Sequence, residues 1–323
     1  MKRILIDTDI GVDDALAVIF ALKSPELHVE AITTVSGNVH VEQCTRNLLI
    51  TLGCMELKEI PLISQGEEAP LTLPLVTSAH VHGSDGLGGI SESLSPDGTR
   101  LYPPLEWPLS SMRGPDAIID LVNRYSGELI LVPVGPLTNI AKAMLNNPTA
   151  MRGVREIVLM GGVFEIYGNV TTQAEFNIYA DPQAAQVVFN FGVPVTMTPL
   201  DVTHDVVLTR DRLDAEANQR NTRLIQFLRD STQACMVYHQ GREGVKGLYL
   251  HDPLAIGYLL QPDLFDVVDA YVQVETPDNL TRGRTVGNLR AHRADSAPNA
   301  RVCVGVDADR FLRFFLDRVV DGH

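Results

Sequence analysis

The chain has 323 residues and a formal net charge of −14, because 26 Lys and Arg stand against 40 Asp and Glu. Hydrophobic residues make up 45% and charged residues 20%, which is ordinary for a globular protein and excludes a disordered chain. The acidic balance argues against nucleic acid as a partner, since affinity for phosphates comes from Lys and Arg. No apolar run approaches the ~18 residues of a membrane span, so we also expect no membrane partner.

The cysteines indicate a reducing compartment. Cys44, Cys54, Cys235 and Cys303 form neither a C-x-x-C pair nor a spacing typical of metal sites. Free thiols of this kind are typical of cytoplasmic proteins. The apolar run Ile4–Ile6 is too short for the core of a signal peptide. We therefore expect a cytoplasmic protein.

Short apolar runs alternate with helix-like segments along the chain. In chain order, the patterns predict strand Arg3–Ile6, helix Asp14–Leu22, strand Val29–Val35, helix Val41–Leu52, strand Ile60–Ile63, strand Leu129–Val134, helix Asn139–Leu145, strand Glu156–Met160, helix Pro182–Phe191, strand Val195–Met197, helices Leu224–Tyr238 and Pro253–Leu260, strands Val267–Val274 and Val302–Val306, and helix Ala308–Val320. This alternation predicts βαβ units and an α/β fold with a largely parallel sheet covered by helices on both faces.

Nothing in the composition divides the chain into parts. No linker rich in Ser, Gly or Pro is present, so a single domain over residues 1–323 is favoured over two. The segments Ser64–Ser111 and Thr276–Ala300 show no regular pattern, and we interpret them as surface loops. A loop as long as the first of these is usually functional or mobile.

Four carboxylates follow the first predicted strand within eight residues, at Asp7, Asp9, Asp13 and Asp14. Ligands of an open parallel sheet bind at the carboxyl ends of its strands, where this cluster would lie. Asp13 and Asp14 are also explained as caps of the next helix, but capping does not explain Asp9 beside them. Clustered carboxylates repel one another unless a cation holds them. Without His or Cys in the cluster, Ca²⁺ or Mg²⁺ is favoured over zinc.

Polar residues also follow later strands. Asn38 lies after the second strand, and Asn169, Glu175 and Asn177 lie after the fifth. Amide and carboxylate groups at these places are suited to a hydroxyl-rich ligand, although ordinary loop chemistry explains them as well.

Two further segments contain histidine. In His251-Asp252-Pro253, the aspartate is well placed to cap the following helix, so neither residue stands out alone. The glycine-rich segment 80–89 carries two histidines but lacks the strand before it and the helix after it that a phosphate-binding loop needs. We interpret it as a flexible lid.

Together these segments resemble the signature of the inosine–uridine-preferring nucleoside hydrolases. The segments that carry the resemblance are Asp7–Ala15, Thr33–Asn38, Leu131–Ala141, Leu159–Gly162, Ala174–Asn177 and His251–Pro253. They follow in the family's order over nearly the whole chain. The resemblance implies a single α/β domain with an open, mainly parallel Rossmann-like sheet and a tightly bound Ca²⁺. It also implies hydrolysis of the N-glycosidic bond of ribonucleosides to free base and ribose, in nucleoside salvage.

The resemblance assigns the metal and the reaction to particular positions. It implies calcium ligands at Asp9, Asp14, Asp252 and the backbone carbonyl of Val134, and a carbonyl ligand explains why residue 134 can be apolar. Asp9 would also be the general base that takes a proton from the attacking water. His251 would be the proton donor to the leaving base.

The contacts of the nucleoside are implied in the same way. The matching positions are Asp13, Asn38, Asn169, Glu175 and Asn177 for the ribose, Met160 and Phe176 for packing beside it, and His82 near the leaving base. Members of the family are commonly homodimers or homotetramers, and by analogy we expect one of these here.

Three alternatives stay open at this point. Purine or pyrimidine preference is unassigned, and a pyrimidine-specific ribonucleoside hydrolase is the first alternative. The second is a non-catalytic, calcium-dependent nucleoside- or ribose-binding protein, which would need neither a base nor an acid. The third is a phosphatase of the haloacid-dehalogenase type, which also begins with Asp-x-Asp, but here Ile10 and Gly11 stand in place of its Gly-Thr.

Overall fold

An eight-stranded sheet forms the centre of the molecule. The computed structural model describes residues 1–217, 222–289 and 297–321. The strands are β1 (Lys2–Thr8), β2 (Leu27–Thr34), β3 (Leu62–Gln65), β4 (Leu129–Pro133), β5 (Glu156–Met160), β6 (Val195–Thr198), β7 (Val207–Leu208), β8 (Leu248–Tyr249), β9 (Phe265–Ala270), β10 (Gln273–Val274), β11 (Thr285–Val286) and β12 (Ala300–Val306). The helices are α1 (Val12–Leu22), α2 (Val41–Gly53), α3 (Ala79–His82), α4 (Gly114–Arg124), α5 (Thr138–Asn146), α6 (Pro148–Met151), α7 (Phe176–Ala180), α8 (Pro182–Asn190), α9 (Leu200–Thr203), α10 (Arg210–Ala217), α11 (Arg223–Glu243), α12 (His251–Leu260) and α13 (Ala308–Leu316).

The strand order of the main sheet is β3-β2-β1-β4-β5-β6-β12-β9. Neighbouring strands run parallel, except that β9 runs antiparallel to β12 at one edge. The chain moves outward from β1 to β3 and then returns to place β4 on the other side of β1. In open sheets of this kind, ligands bind where the strand order reverses in this way. The predicted α/β fold with an open, mainly parallel Rossmann-like sheet is confirmed.

Both faces of the sheet are covered by helices because its central strands are apolar on both sides. In β1, Ile4 and Ile6 pack into one apolar cluster and Leu5 into the other. In β4, Ile130 and Leu131 divide in the same way. Helices α1, α2, α11, α12 and α13 cover the first face, and α4, α5, α6 and α8 cover the second.

Strands β1 to β6 and β12 lie at or within a few residues of their predicted positions. Helix α4 was missed, although Pro115 lies in its first turn and Ile118, Leu121 and Val122 give it a buried apolar stripe. Those features were a usable signal. Within the described ranges, no helix combines the length and the apolar character that crossing a membrane requires.

One strand predicted near the end of the chain is wrong. The predicted strand Val267–Val274 is broken, since β9 ends at Ala270 and β10 pairs with β11 in a separate two-stranded ribbon. The predicted closing helix Ala308–Val320 is confirmed, with α13 continuing from Leu316 as a π-helical turn to Asp321. Part of the predicted loop Thr276–Ala300 lies outside the described residues.

Helix packing makes a glycine necessary at residue 257. A Cβ atom added to Gly257 on α12 would overlap the ring of the fully buried Phe311 on α13, whereas one added to Gly241 on α11 would meet no atom within 4 Å. We expect Gly257→Ala to lower the free energy of unfolding by about 1–3 kcal/mol through overpacking. Gly241→Ala, the matched control, should raise it by about 0.5–1 kcal/mol. Urea titration measures both, and equal effects would contradict this account.

Candidate active site

A cavity of about 850 Å³, including the space at its mouth, opens at the carboxyl ends of the central strands. The loops that leave four of these strands supply its walls: Asp9 follows β1, Asn38 follows β2, Val134 follows β4, and Met160 ends β5. The cavity therefore lies at the reversal of strand order between β1 and β4, where this sheet topology predicts a ligand site.

All the site residues singled out in the sequence line this one cavity. They are Asp9, Asp13, Asp14, Asn38, His82, Val134, Met160, Asn169, Glu175, Phe176, Asn177, His251 and Asp252. Asp7 is not among the lining residues, although it belongs to the same acidic run.

Three buried carboxylates form the most compact part of the site. Asp13, Asp14 and Asp252 each offer one oxygen, and these oxygens all lie within 4.8 Å of one another. Asp13 and Asp14 lie in the first turn of α1, and Asp252 lies in the first turn of α12. Since α12 begins at His251, Asp252 does not cap the helix, and its carboxylate faces the cluster instead. An oxygen cluster of this kind can hold a metal ion.

The neighbouring loops hold Asp14 in place. Its Oδ1 accepts a hydrogen bond from Thr8 Oγ1 at 2.5 Å, and its Oδ2 accepts from Gly11 N at 2.8 Å and from Asn38 Nδ2 at 2.9 Å. Asp14 thus closes the N-terminal turn of α1 from the third helical position, so it has a structural role as well as a place in the cluster.

Two glycines make room for Asp9. A Cβ atom on Gly37 would overlap Asp9 Oδ2, and one on Gly135 would lie 2.7 Å from Asp9 Oδ1. Asp9 Oδ2 also accepts a hydrogen bond from Asn38 N at 2.6 Å. The carboxylate is therefore enclosed by backbone from the loops after β2 and β4, and its relative exposure is only 1%.

Burial of these acids without a countercharge is unfavourable for their ionised forms. Burial raises the pKa of Asp9 and Asp252 well above the usual range, and repulsion from the other aspartates raises it further. Burial also raises the pKa of Asp14, again assisted by Asp13, and it raises the pKa of Asp13 to about 6. A bound cation would remove this penalty.

Glu175 and Asn177 line the same cavity as the aspartates. Glu175 caps α7: its Oε1 accepts from Asn177 N at 2.7 Å, and its Oε2 accepts from Gly162 N at 3.0 Å and Ile178 N at 3.1 Å. Burial nevertheless raises the pKa of Glu175 to about 7. Asn177 Nδ2 donates to the Val134 carbonyl at 2.7 Å. That carbonyl, a predicted metal ligand, therefore already has one hydrogen bond and keeps a second lone pair.

Asn169 differs from the other predicted ribose-binding residues because it is exposed. Its Oδ1 accepts a hydrogen bond from Phe176 N at 2.9 Å, which ties the loop before α7 to the start of that helix. Met160 and Phe176 are buried apolar lining residues close by.

His82 lies on the acidic side of the cavity. Its Nδ1 accepts a hydrogen bond from Val12 N at 3.2 Å and lies 3.7 Å from Asp13 Oδ1. Burial lowers the pKa of His82 to about 4, although Asp14 opposes that shift. At neutral pH His82 is therefore uncharged, with Nδ1 as the acceptor and the proton on Nε2.

His251 lies in a group of aromatic rings. Its ring centroid is 5.5 Å from that of His204 and 5.4 Å from that of Tyr249, and His204 stacks on Tyr249 at 4.3 Å. Its Nδ1 lies 2.7 Å from Thr203 Oγ1. Burial lowers the pKa of His251 well below its usual range, and the neighbouring histidines His204, His239 and His82 lower it further.

Several cavity residues were not singled out by sequence. They are Ser78, Val170, His204 and Cys235. His80 and Val81 also line the cavity and belong to the segment interpreted as a lid, and Tyr238, His239, Glu243, Leu248 and Tyr249 come from the part of the chain where the family resemblance places variation in base specificity. No sequence pattern marks Ser78, which the structure links to the site through a hydrogen bond from its hydroxyl to Asn38 Oδ1.

Comparison with known proteins agrees with this geometry. Residues 4–313 match the family described as inosine-uridine preferring nucleoside hydrolase. The chain is 35% identical to probable uridine nucleosidase 2 of Arabidopsis thaliana, over 99% of this chain and 98% of that protein. It is 37% identical to the pyrimidine-specific ribonucleoside hydrolase RihA of Shigella boydii, over 98% and 97% of the two chains. A solved structure, the purine-preferring ribonucleoside hydrolase from Gardnerella vaginalis, matches with a TM-score of 0.89 and 35% identity over 99% of each chain.

The chain therefore belongs to the inosine-uridine preferring nucleoside hydrolase family. It is a ribonucleoside hydrolase, an enzyme that acts on the N-glycosyl bond of small ribonucleosides. The family is metal-dependent, and Asp13, Asp14 and Asp252 form a cluster that can hold a metal. Because the chain is a ribonucleoside hydrolase, the non-catalytic binding protein and the phosphatase are set aside as alternatives.

Asp7 is fully buried and does not line the cavity. Its Oδ1 accepts a hydrogen bond from Asn139 Nδ2 at 2.7 Å and another from Thr33 Oγ1, while its Oδ2 has no partner among the described residues. Burial raises the pKa of Asp7 to about 7, and the two donors only partly offset that effect. Asp7 therefore retains a proton in the folded protein at pH values where an unfolded aspartate has lost it.

We expect Asp7→Asn to change the pH dependence of stability. With a folded pKa of about 7 against an unfolded value near 4, the wild type loses stability as pH rises from about 4 to 7. The variant lacks this loss, so its stability relative to wild type should increase over that window, by about 4 kcal/mol at most. Urea unfolding of both proteins in metal-free buffer at about pH 4.5, 6 and 7.5 measures how the difference in their free energies of unfolding changes across this window. A constant difference would contradict it.

Proposed function

We propose that this enzyme is a Ca²⁺-dependent ribonucleoside hydrolase that gives free base and ribose. The observation that supports this most directly is the group of three buried carboxylates within 4.8 Å, in a cavity that Glu175, Asn177 and His251 also line. A cavity that combines carboxylates with imidazoles is suited to a nucleoside, since carboxylates bind ribose hydroxyls and an imidazole can protonate a leaving base.

The donor set favours calcium. Among the described residues that line the cavity, no Lys or Arg accompanies these buried carboxylates, and burial and repulsion raise the pKa of Asp9 and Asp252. Hard oxygen ligands in variable geometry suit Ca²⁺. The proposed ligands are Asp9, Asp14, Asp252 and the Val134 carbonyl, with Asp13 beside them. When bound, Ca²⁺ would lower the pKa of a water and hold two ribose hydroxyls.

The aspartates would assist the attack of a water molecule on the ribose. Asp9 takes a proton from the water that attacks C1′ of the ribose. The transition state has oxocarbenium character, and the carboxylates around the sugar stabilise its positive charge. Because Asp9 is held by Asn38 N and confined by two glycine backbones, its carboxylate is fixed before substrate binds. Such preorganisation lowers the cost of reaching the transition state.

The other predicted residues would bind the nucleoside. We propose hydrogen bonds to ribose from Asp13, Asn38, Asn169, Glu175 and Asn177, and packing beside it by Met160 and Phe176. His251 donates a proton to the departing base, and His82 contacts the same base. The low pKa of His251 makes its protonated form a stronger acid, while fewer molecules carry that form at neutral pH.

The preferred base is a second question. The pyrimidine-specific relative from Shigella boydii favours a pyrimidine-specific enzyme, while the similar structure from Gardnerella vaginalis is purine-preferring. The base would lie against His204, Tyr238, His239 and Tyr249, since these cavity-lining rings form one connected group with His251, the proposed proton donor. Parallel assays with inosine, uridine, cytidine and adenosine decide between the two.

The cellular setting follows by the same reasoning. We propose a role in nucleoside salvage, by analogy with the family. We place the enzyme in the cytoplasm because all four cysteines are free and buried. We further propose a single domain over residues 1–323, because one sheet joins β1 to β12, and a homodimer or homotetramer by analogy with the family.

Calcium dependence predicts a linked gain in stability. Addition of Ca²⁺ at 100 times its Kd should stabilise the chelator-treated protein by about 2.7 kcal/mol. Asp252→Asn should abolish most of this gain because it removes a charged ligand, whereas the control Asp97→Asn changes an exposed turn. Thermal unfolding with EGTA, Ca²⁺ or Mg²⁺ measures the effect, alongside nucleoside turnover. No gain with Ca²⁺, or a larger one with Mg²⁺, would argue for a different metal.

The role of Asp9 predicts a large loss of turnover in Asp9→Asn. The amide can still accept from Asn38 N but cannot take a proton, so kcat should fall by about 10²–10⁴-fold. Release of free base and ribose from the four ribonucleosides provides the measurement, and Asp97→Asn is again the control. A kcat near the wild-type value would show that another group is the base.

A further inference from the structure

The backbone brings α9 against the start of α12. Strands β7 and β8 pair antiparallel, with Val207 opposite Tyr249, and Leu250 N donates to Val206 O at 3.0 Å. The chain that leaves α9 is therefore bonded to the chain that enters α12. This pairing places Thr203, the last residue of α9, beside His251, the first residue of α12.

Helix α9 is also fixed at its other end. Asp201 accepts hydrogen bonds from Phe164 N at 2.8 Å and Glu165 N at 2.6 Å, and Leu200 N donates to Gly162 O at 2.9 Å. Gly162 N in turn donates to Glu175 Oε2 at 3.0 Å. The short helix is thus tied both to the loop that holds Glu175 and to the element that carries His251.

The contact at the end of α9 is a single hydrogen bond. Thr203 has no solvent exposure, and its Oγ1 lies 2.7 Å from His251 Nδ1. Among the described residues, the Thr203 hydroxyl has no other hydrogen-bond partner. With Nδ1 occupied, Nε2 is the ring nitrogen left for a ligand in the cavity, and the rings of His204 and Tyr249 limit rotation of the imidazole.

We propose that Thr203 is a positioning residue that holds His251 with Nε2 directed at the leaving base. This inference rests on the proposed role of His251 as proton donor. A hydroxyl both donates and accepts, so it can keep the ring in place in either protonation state. It accepts from Nδ1–H when His251 is protonated and donates to Nδ1 when the ring carries its proton on Nε2.

The proton balance of the step is simple. As the C1′–N bond breaks, its electron pair goes to the base nitrogen, which takes the proton from His251 Nε2. The imidazolium becomes a neutral imidazole that keeps Nδ1–H bonded to Thr203 Oγ1. Water supplies the new C1′–O bond and gives its proton to Asp9. Thr203 itself neither gains nor loses a proton.

The test compares two leaving groups. A nucleoside base needs protonation to depart, whereas 4-nitrophenolate departs as an anion. We therefore measure the ratio of kcat for uridine or inosine, whichever the wild type turns over faster, to kcat for 4-nitrophenyl β-D-ribofuranoside. Both values come from one preparation, so an inactive fraction cancels from the ratio. A general disturbance of ribose binding would lower both rates together.

We expect Thr203→Val, which keeps the shape and removes the hydroxyl, to lower this ratio about 10-fold or more, within the ~10²–10⁴-fold that general acid catalysis supplies. Thr203→Ser retains the hydroxyl and should stay within about 3-fold of wild type, since a missing methyl group costs packing rather than this bond. KM for the nucleoside should change little. The matched control is Thr51→Val, which removes a buried hydroxyl bonded to Asn47 O on α2.

The outcomes separate the two hypotheses. An unchanged ratio in Thr203→Val, or an equal fall in Thr203→Ser, overturns the positioning role. His251→Ala should lower the ratio at least as far as Thr203→Val does. If it does not, His251 is not the proton donor, and the proposed catalytic role fails together with this inference. If the ratio falls in His251→Ala but not in Thr203→Val, only this inference fails.

Discussion

Mutual repulsion among buried aspartates is the constraint on which the rest of the site depends. Asp9, Asp13, Asp14 and Asp252 are each less than 8% exposed, and burial raises the pKa of every one. A fold keeps such groups together only if other contacts hold them or a cation neutralises them. The backbone donors at Gly11 and Asn38 provide part of that support. The negative charge that they leave uncompensated is the physical reason for a bound metal ion.

The sheet topology makes this concentration possible. Residues separated by more than 200 positions meet because α12 packs against α1 and β5, which brings its first turn beside the first turn of α1. Helix N-termini at α1 and α12 also favour negative charge. Glycines at positions 37 and 135 then allow two loops to close on Asp9. The requirement is spatial, so a side chain at either position would displace the carboxylate.

The sequence predicts the residues proposed to bind the ribose better than those proposed to contact the base. Asp9 to Asp14 lies directly after β1, and Glu175 to Asn177 lies at the start of α7; in both, polar residues are close together in sequence, so pattern and family resemblance together find them. The roles of Gly37 and Gly135 are not predictable from the sequence, because they depend on Asp9 packing against them in the folded protein. The amphipathic pattern of α4 was missed because a long irregular segment precedes it. For β10, a run of β-branched residues predicted a strand but not the strand with which it pairs.

Tertiary pairing brings together the residues proposed to contact the base. His204, His239 and Tyr249 come from the chain after α9, from α11 and from β8, and they meet because the β7–β8 ribbon folds these segments together. Relatives with similar sheets carry names that specify uridine, pyrimidines or purines. The proposed roles explain this: residues at the strand ends and in the first turns of α1 and α12 would act on the ribose, while α11, β8 and the chain after α9 would contact the base. Changes in the second set would leave the buried charges undisturbed, so base preference would vary while the cleavage of the N-glycosyl bond is retained.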